Sequence, residues 1–186
     1  MNVKGTVFAT GKNAIIEVFG EKLWNEFLKK LAAKEKFFNN IIMSVTLIPE
    51  EKFALFLEGL INEFFNGDPM QYITFGKVAA NYALAPGGPY HTHLLSKDIK
   101  YITETVIPKL WTTYFDEGTL TAKLENNIVH INIYGLSVKR VYIEYIIAGY
   151  VQKGIKMFGK KVVEKCIRGF SKGDNDIYYQ YEIQDS

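Results

Sequence analysis

Few residues in this 186-residue chain could do chemistry. His91 and His93 form a His-x-His pair beside Pro86, Gly87, Gly88 and Pro89. In an extended segment both imidazoles would face one way and could offer two ligands to a metal. No spacing points to a third ligand, whether His130 or a carboxylate, so loop histidines are the expectation and no metal site is assigned. The one cysteine, Cys166, reads as a small buried hydrophobe. Glu50-Glu51 and Asp116-Glu117 fall at element boundaries, where the helix dipole and turn preferences already account for acidic residues. No Gly-x-Ser-x-Gly elbow, phosphate-cradling Gly-Lys-Ser/Thr loop or His-Glu-x-x-His helix occurs. The chain is therefore expected not to be an enzyme, with no catalytic residue.

What the sequence has in quantity is rings. It carries 13 Phe and 12 Tyr, spread along its length. Aromatics fill cores first and line apolar pockets second. If a pocket exists, the expected lining is Phe75, Tyr82 and Trp111 from the first half, with Tyr142, Tyr145 and Gly149 from a later apolar helix. Gly149 and Gly154 each cost that helix about 1 kcal/mol relative to Ala. Close packing against a neighbour or a groove admitting an apolar ligand would each compensate, and Tyr142, Tyr145 and Tyr150 on the same helix could place ring faces or hydroxyls toward such a groove.

The elements that must position these residues follow from periodicity. Alternation at Val3, Gly5 and Val7 predicts a strand over Asn2–Ala9. Apolar positions then recur at helical spacing on both sides of Gly20, giving a helical hairpin. Pro49, Glu50 and Glu51 open a helix that runs to Asn66-Gly67, and Asp68-Pro69 starts the next, carrying Phe75 and Tyr82. After Pro86–Pro89, a helix is expected from about Ser96 to Trp111, with Pro108 kinking it or marking a boundary. Thr119–Leu124 and Ile128–Tyr134 alternate as strands around Glu125-Asn126-Asn127, a hairpin signal. A long apolar helix follows, about Val138 to Phe158. Lys161–Ile167 and Ile177–Ile183 then form the last two strands. This order implies an α+β fold: N-terminal helices on one side of an antiparallel sheet of about four to five strands, with a long buried helix between two C-terminal hairpins.

Composition narrows the partners. Lys+Arg 22 against Asp+Glu 20 leaves a net charge of +2, too little for general nucleic-acid binding. Glu144, Gln152, Lys153 and Lys156 interrupt the longest apolar stretch, so no membrane span is expected. The lone cysteine and the lack of a signal-peptide pattern imply a cytoplasmic setting. At this length, residues 1–186 are expected to form one domain.

Three stretches carry a resemblance. Val3-Lys4-Gly5-Thr6-Val7-Phe8, followed by Phe19-Gly20 and Trp24, resembles the opening of haem-NO-binding domains. Pro108-Lys109-Leu110-Trp111 with Tyr114-Phe115-Asp116-Glu117-Gly118 resembles a bacterial branch of the same superfamily, which also holds 4-vinyl-reductase small-molecule-binding domains and transport-particle subunits of vesicle tethering. Gly173-Asp174 falls where those relatives place a Gly-Asp turn. The resemblance implies one haem-NO-binding-like domain over the whole chain.

The same resemblance exposes departures. Glu104 stands where the relatives place the iron-ligating histidine, and a carboxylate substitutes poorly for imidazole on haem iron. Tyr134-Gly135-Leu136-Ser137-Val138-Lys139-Arg140 holds the residue types of the propionate-gripping Tyr-x-Ser-x-Arg triplet at a different spacing. Ile177 replaces the second cysteine of the 4-vinyl-reductase relatives. The expectation is therefore no cofactor, haem included.

The leading reading is a sensory or regulatory module that holds a small hydrophobic ligand between the long apolar helix and the first-half helices. The alternatives are an adaptor that forms a homodimer or docks a partner without a ligand, and a haem-based gas sensor with unusual ligation.

Overall fold

The fold was taken from a computed structural model, which describes residues 1–88, 90–95 and 98–184. Pro89 and Ser96, assigned above to a loop and a helix start, lie outside the described residues.

The N-terminal strand is shorter than the alternation predicts. β1 spans Asn2–Lys4, and α1 (Gly5–Phe19) begins at once. The reason is tertiary. Gly5 and Thr6 donate their amides to the Thr46 and Ser44 carbonyls at 2.7 and 3.1 Å, and a Cβ on Gly5 would stand 1.9 Å from the Met43 carbonyl oxygen. α2 (Glu21–Lys34) follows the break at Gly20, whose φ of 89° suits glycine. β2 (Leu47–Pro49) pairs antiparallel with β1. α3 (Glu50–Phe65) carries Glu50 and Glu51 in its first turn and ends on left-handed Asn66. α4 (Gln71–Leu84) starts two residues after Pro69, and Asp68 accepts the Met70 amide at 2.9 Å just ahead of it.

The single helix expected from Ser96 to Trp111 is instead a composite. A short turn, α5 (His91–Leu94), precedes α6 (Ile99–Tyr101), a π-helical turn (Ile102–Val106) and α7 (Ile107–Tyr114). Pro108 sits in the first turn of α7, where its missing N–H costs little. β3 (Thr119–Glu125) and β4 (Ile128–Tyr134) form the expected hairpin, turning at Asn126 with a positive φ. α8 (Val141–Lys156) leads to β5 (Lys161–Arg168) and β6 (Ile177–Gln184).

β3, β4, β6 and β5 make a four-stranded antiparallel sheet in that order. One face buries Leu120, Val129, Ile131, Ile133, Tyr179 and Tyr181. The other carries Thr121, Lys123, His130, Asn132 and Tyr178 (strand alternation with period two). The α+β architecture expected from the element order is the one observed. Among the described residues no helix is long and apolar enough to cross a membrane.

Two packing features set the geometry of the interior. An aromatic cluster joins α1, α2 and α3, with Phe8 against Trp24 at 5.7 Å and against Phe56 at 4.8 Å between ring centroids. Rings buried this fully each contribute about 1.5–3 kcal/mol. α4 and α8 meet glycine to backbone: a Cβ on Gly76 would stand 2.1 Å from the Ile146 oxygen, and one on Gly149 would stand 2.1 Å from the Ile73 oxygen. Of the two roles open to Gly149, the structure shows close packing.

Candidate site: an apolar cavity beside α8

Between α1, α4, the π turn with α7, and α8 lies a cavity of about 90 Å³. Its walls are almost wholly apolar, formed among others by Val7, Phe75, Trp111, Phe115, Ile147 and Val151. The volume is below the ~300–1,000 Å³ of typical small-molecule pockets, and equals the share of about three waters. Trp111 is locked in place: its ring stacks on Phe115 at 4.4 Å, and its Nε1 donates to the Glu117 and Gly118 carbonyls at 3.2 Å each.

The polar groups on the lining are few. Thr10, His93, Thr103, Tyr114 and Tyr150 all reach it. The Tyr114 and Tyr150 hydroxyls are buried and have no hydrogen-bond partner among the described residues. Their rings meet edge to face at 6.3 Å, and Tyr90 packs on Tyr114 at 6.1 Å. Burial first, then the neighbouring Tyr150 and Tyr90, pushes Tyr114 far above the usual phenol range, and burial raises Tyr150 as well. The three hydroxyls thus lie close enough to act on one another, by charge and by partial hydrogen bonding, but none of these approaches gives Tyr114 or Tyr150 a well-formed partner.

The predicted lining divides. Phe75 and Trp111 line the cavity, on α4 and α7. Tyr82 instead accepts a hydrogen bond from Asn13 Nδ2 at 2.7 Å in an exposed position. Tyr142 donates to Glu50 Oε1 at 3.0 Å, Tyr145 is half-buried away from the cavity, and Gly149 is spent on the α4 crossing. Tyr114 and Thr103 were missed. Of the three α8 tyrosines expected to face a groove, Tyr150 alone lines the cavity, and only the rotation of α8 about its axis separates it from Tyr142 and Tyr145. The signal that could have found Tyr114 is its spacing of three from Trp111, which places both on one face of α7.

The positions singled out by departure from haem-NO-binding domains are otherwise engaged. Glu104 accepts the Leu124 amide at 3.2 Å and borders a polar groove on the outer sheet face, while Thr103, 1% exposed, faces the cavity. Arg140 clamps Glu50 through Nε at 2.8 Å and a second nitrogen at 3.3 Å. His91 and His93 lie on helical α5, not on an extended segment; His91 Nδ1 contacts the Leu84 carbonyl at 3.0 Å, and His93 stacks on Tyr90 at 6.4 Å. Among the described residues no three His, Cys, Asp or Glu side chains group to hold a metal ion. Cys166 is half-buried, with Sγ 3.7 Å from Glu144 Oε1, and burial raises its thiol pKa.

No protein-family model matches the chain, and no curated protein does. Its fold nevertheless has close counterparts among solved structures. An H-NOX protein from S. oneidensis in the Fe(II)NO ligation state superposes with a TM-score of 0.72 at 17% identity, covering 98% of this chain and 99% of that one. Unliganded Fe(II) H-NOX from K. algicida gives 0.69 at 13% identity, over 98% and 97%. A histidine-to-glycine mutant of the Shewanella oneidensis H-NOX domain, in the Fe(II)CO ligation state, gives 0.71 at 17%, over 98% and 99%. The fold is H-NOX-like from end to end.

These matches correct one expectation. The sequence reading called for no cofactor, yet the structures with this fold are recorded in iron-ligated states, including one in which a histidine has been replaced. Haem therefore belongs among the ligands to be tested against this cavity. The expectation rests on Glu104 and on the altered spacing of Tyr134–Arg140, and the iron-ligated states of structures with this fold overturn it.

Proposed function

We propose that this chain is a sensing domain that takes an apolar ligand into the cavity between α1, α4, α7 and α8. One observation carries the reading: an apolar interior space lined by Tyr114 and Tyr150, whose hydroxyls are buried at its edge without a hydrogen-bond partner among the described residues. Native cores rarely leave such groups unmet, and each costs about 1–3 kcal/mol.

Haem is the ligand class that the comparisons put first, and the residues meet it in two respects. The apolar walls suit a porphyrin face, and His93 brings an imidazole to the lining. When bound, haem supplies an iron that takes diatomic gases. His93 would hold that iron, Trp111 and Phe115 would exclude water, and Tyr114 and Tyr150 would offer hydrogen-bond donors into the same space. Among the described residues no Lys or Arg lines the cavity, so they offer the carboxylates of the group no cationic partner. That feature, together with the small volume, favours a second reading in which the ligand is a smaller neutral molecule.

Titration of the purified protein with haem separates the two. A Soret band that saturates at one equivalent and is lost in His93→Ala supports the haem reading. Saturating thermal shifts with small aromatic compounds and no Soret band support the smaller ligand. The absence of both responses would overturn the sensing proposal.

A further inference from the structure

The polar end of the cavity can be read for what it would recognise. Tyr114, on α7, and Tyr150, on α8, come from elements that no local sequence pattern couples, yet their hydroxyls are buried at one place on the lining. A tyrosine hydroxyl in an apolar wall has two needs: a donor for its lone pairs and an acceptor for its proton. Two hydroxyls side by side can satisfy one another only in part; here they lie close enough to perturb each other, yet neither meets a partner at full hydrogen-bond geometry among the described residues. Burial also raises both above the ordinary phenol range, so at neutral pH they are protonated and able to donate. Apart from these groups the described residues of the walls give a ligand apolar contact and the Thr10, Thr103 and His93 side chains.

We infer that the Tyr114–Tyr150 pair is a recognition element selecting a neutral apolar ligand that carries one hydrogen-bond acceptor, such as an aryl ketone, over its hydrocarbon counterpart. This rests on the cavity being a ligand site, as proposed above. The physical argument is asymmetric. An apolar molecule lacking an acceptor gains burial but leaves both hydroxyls unmet, whereas one with a correctly placed carbonyl gains the same burial and relieves the unmet donor. Size sets the scale. An apolar cavity of ~150 Å³ takes benzene in another protein, so a one-ring ligand here requires the walls to dilate, and anything larger requires α5 or α7 to move.

Acetophenone and its near-isostere α-methylstyrene, which lacks the acceptor, make the test pair. Wild type is expected to bind acetophenone about tenfold more tightly by calorimetry, and Tyr114→Phe and Tyr150→Phe are expected to reduce that ratio towards one. Without ligand, Tyr114→Phe should raise Tm by about 2–4 °C, because it deletes a hydroxyl that gains nothing in the empty protein. Equal affinity of wild type for the two compounds, or a ratio that survives both Phe variants, would overturn the inference while leaving the cavity a ligand site. A drop in ligand-free Tm for Tyr114→Phe would overturn it too, by showing that the hydroxyl is already satisfied. Binding of neither compound, with no response to haem, would strike at the parent reading instead.

Discussion

Glu144 and the Tyr114–Tyr150 pair are both polar groups sunk into apolar surroundings, one beside the sheet and one beside the cavity, and they are treated in opposite ways. Glu144 is 1% exposed. Its carboxylate accepts from the Ser171 amide and hydroxyl at 2.8 Å each and from Tyr179 at 2.7 Å, with the Cys166 thiol at 3.7 Å. Gly169 makes this possible, since a Cβ there would stand 2.4 Å from a Glu144 oxygen. Every strong acceptor is met, and the network ties α8 to β5, β6 and the turn between them. Around the cavity the hydroxyls are left unmet. Gln152 Oε1 and Glu164 Oε2 are also buried without a partner among the described residues, away from the cavity, so the contrast is narrower: a satisfied buried polar group holds structure, and unmet hydroxyls on residues that line a cavity mark where a ligand could be met.

That contrast can be broken from its strong side first. Glu144→Ala should cost about 3–4 kcal/mol in urea denaturation, because it strands the Ser171 and Tyr179 donors in the interior. Glu144→Gln, which keeps one acceptor oxygen, should lose less. An Ala variant as stable as wild type would mean that the network is not structural.

Gly149→Ala comes next, at about 2–3 kcal/mol, since the new methyl must displace the Ile73 carbonyl or part α4 from α8. Its value is in separating wall from contents. If α4 and α8 form one wall of the site, this variant should also change ligand affinity in the same calorimetric assay, although Gly149 does not touch the cavity.

The third measurement is an alkaline titration followed by phenolate absorbance and circular dichroism. Tyr114, Tyr142, Tyr150, Tyr179 and Tyr181 are all raised, chiefly by burial. Below the phenol value of about 10 they are neutral in both folded and unfolded chains. Above it the unfolded chain loses protons that the folded chain keeps, so stability falls as pH rises. The buried phenols should therefore ionise in one step that coincides with unfolding, while exposed ones titrate earlier. The smallest effect is the gain in stability of ligand-free Tyr114→Phe, opposite in sign to that of Glu144→Ala.

Much of the fold was legible from the residues. The break at Gly20, the helix from Glu50, the hairpin at Asn126 and the order of the last strands all rest on local signals: a positive φ, a helix dipole, period-two alternation. The misreadings share a different cause. Val3, Gly5 and Val7 alternate like a strand, but the carbonyls of residues 43–46 claim Gly5 and start a helix there. The helix expected through Pro108 contains a π turn that puts Thr103 against the cavity and Glu104 against β3. No local pattern foretells that rotation.

The candidate site was legible only in kind. Aromatic load pointed to rings around a space, and Phe75 and Trp111 are there. Tyr142 was drawn away by Glu50, a residue of α3 remote in sequence, and Gly149 by the backbone of α4. By itself the sequence determined the element types, their order and the sidedness of the sheet, because turn chemistry and apolar period act within a few residues. Only the tertiary structure decided which side chains face the cavity and which polar groups go unmet, because both depend on how α7 and α8 are rotated against partners far along the chain.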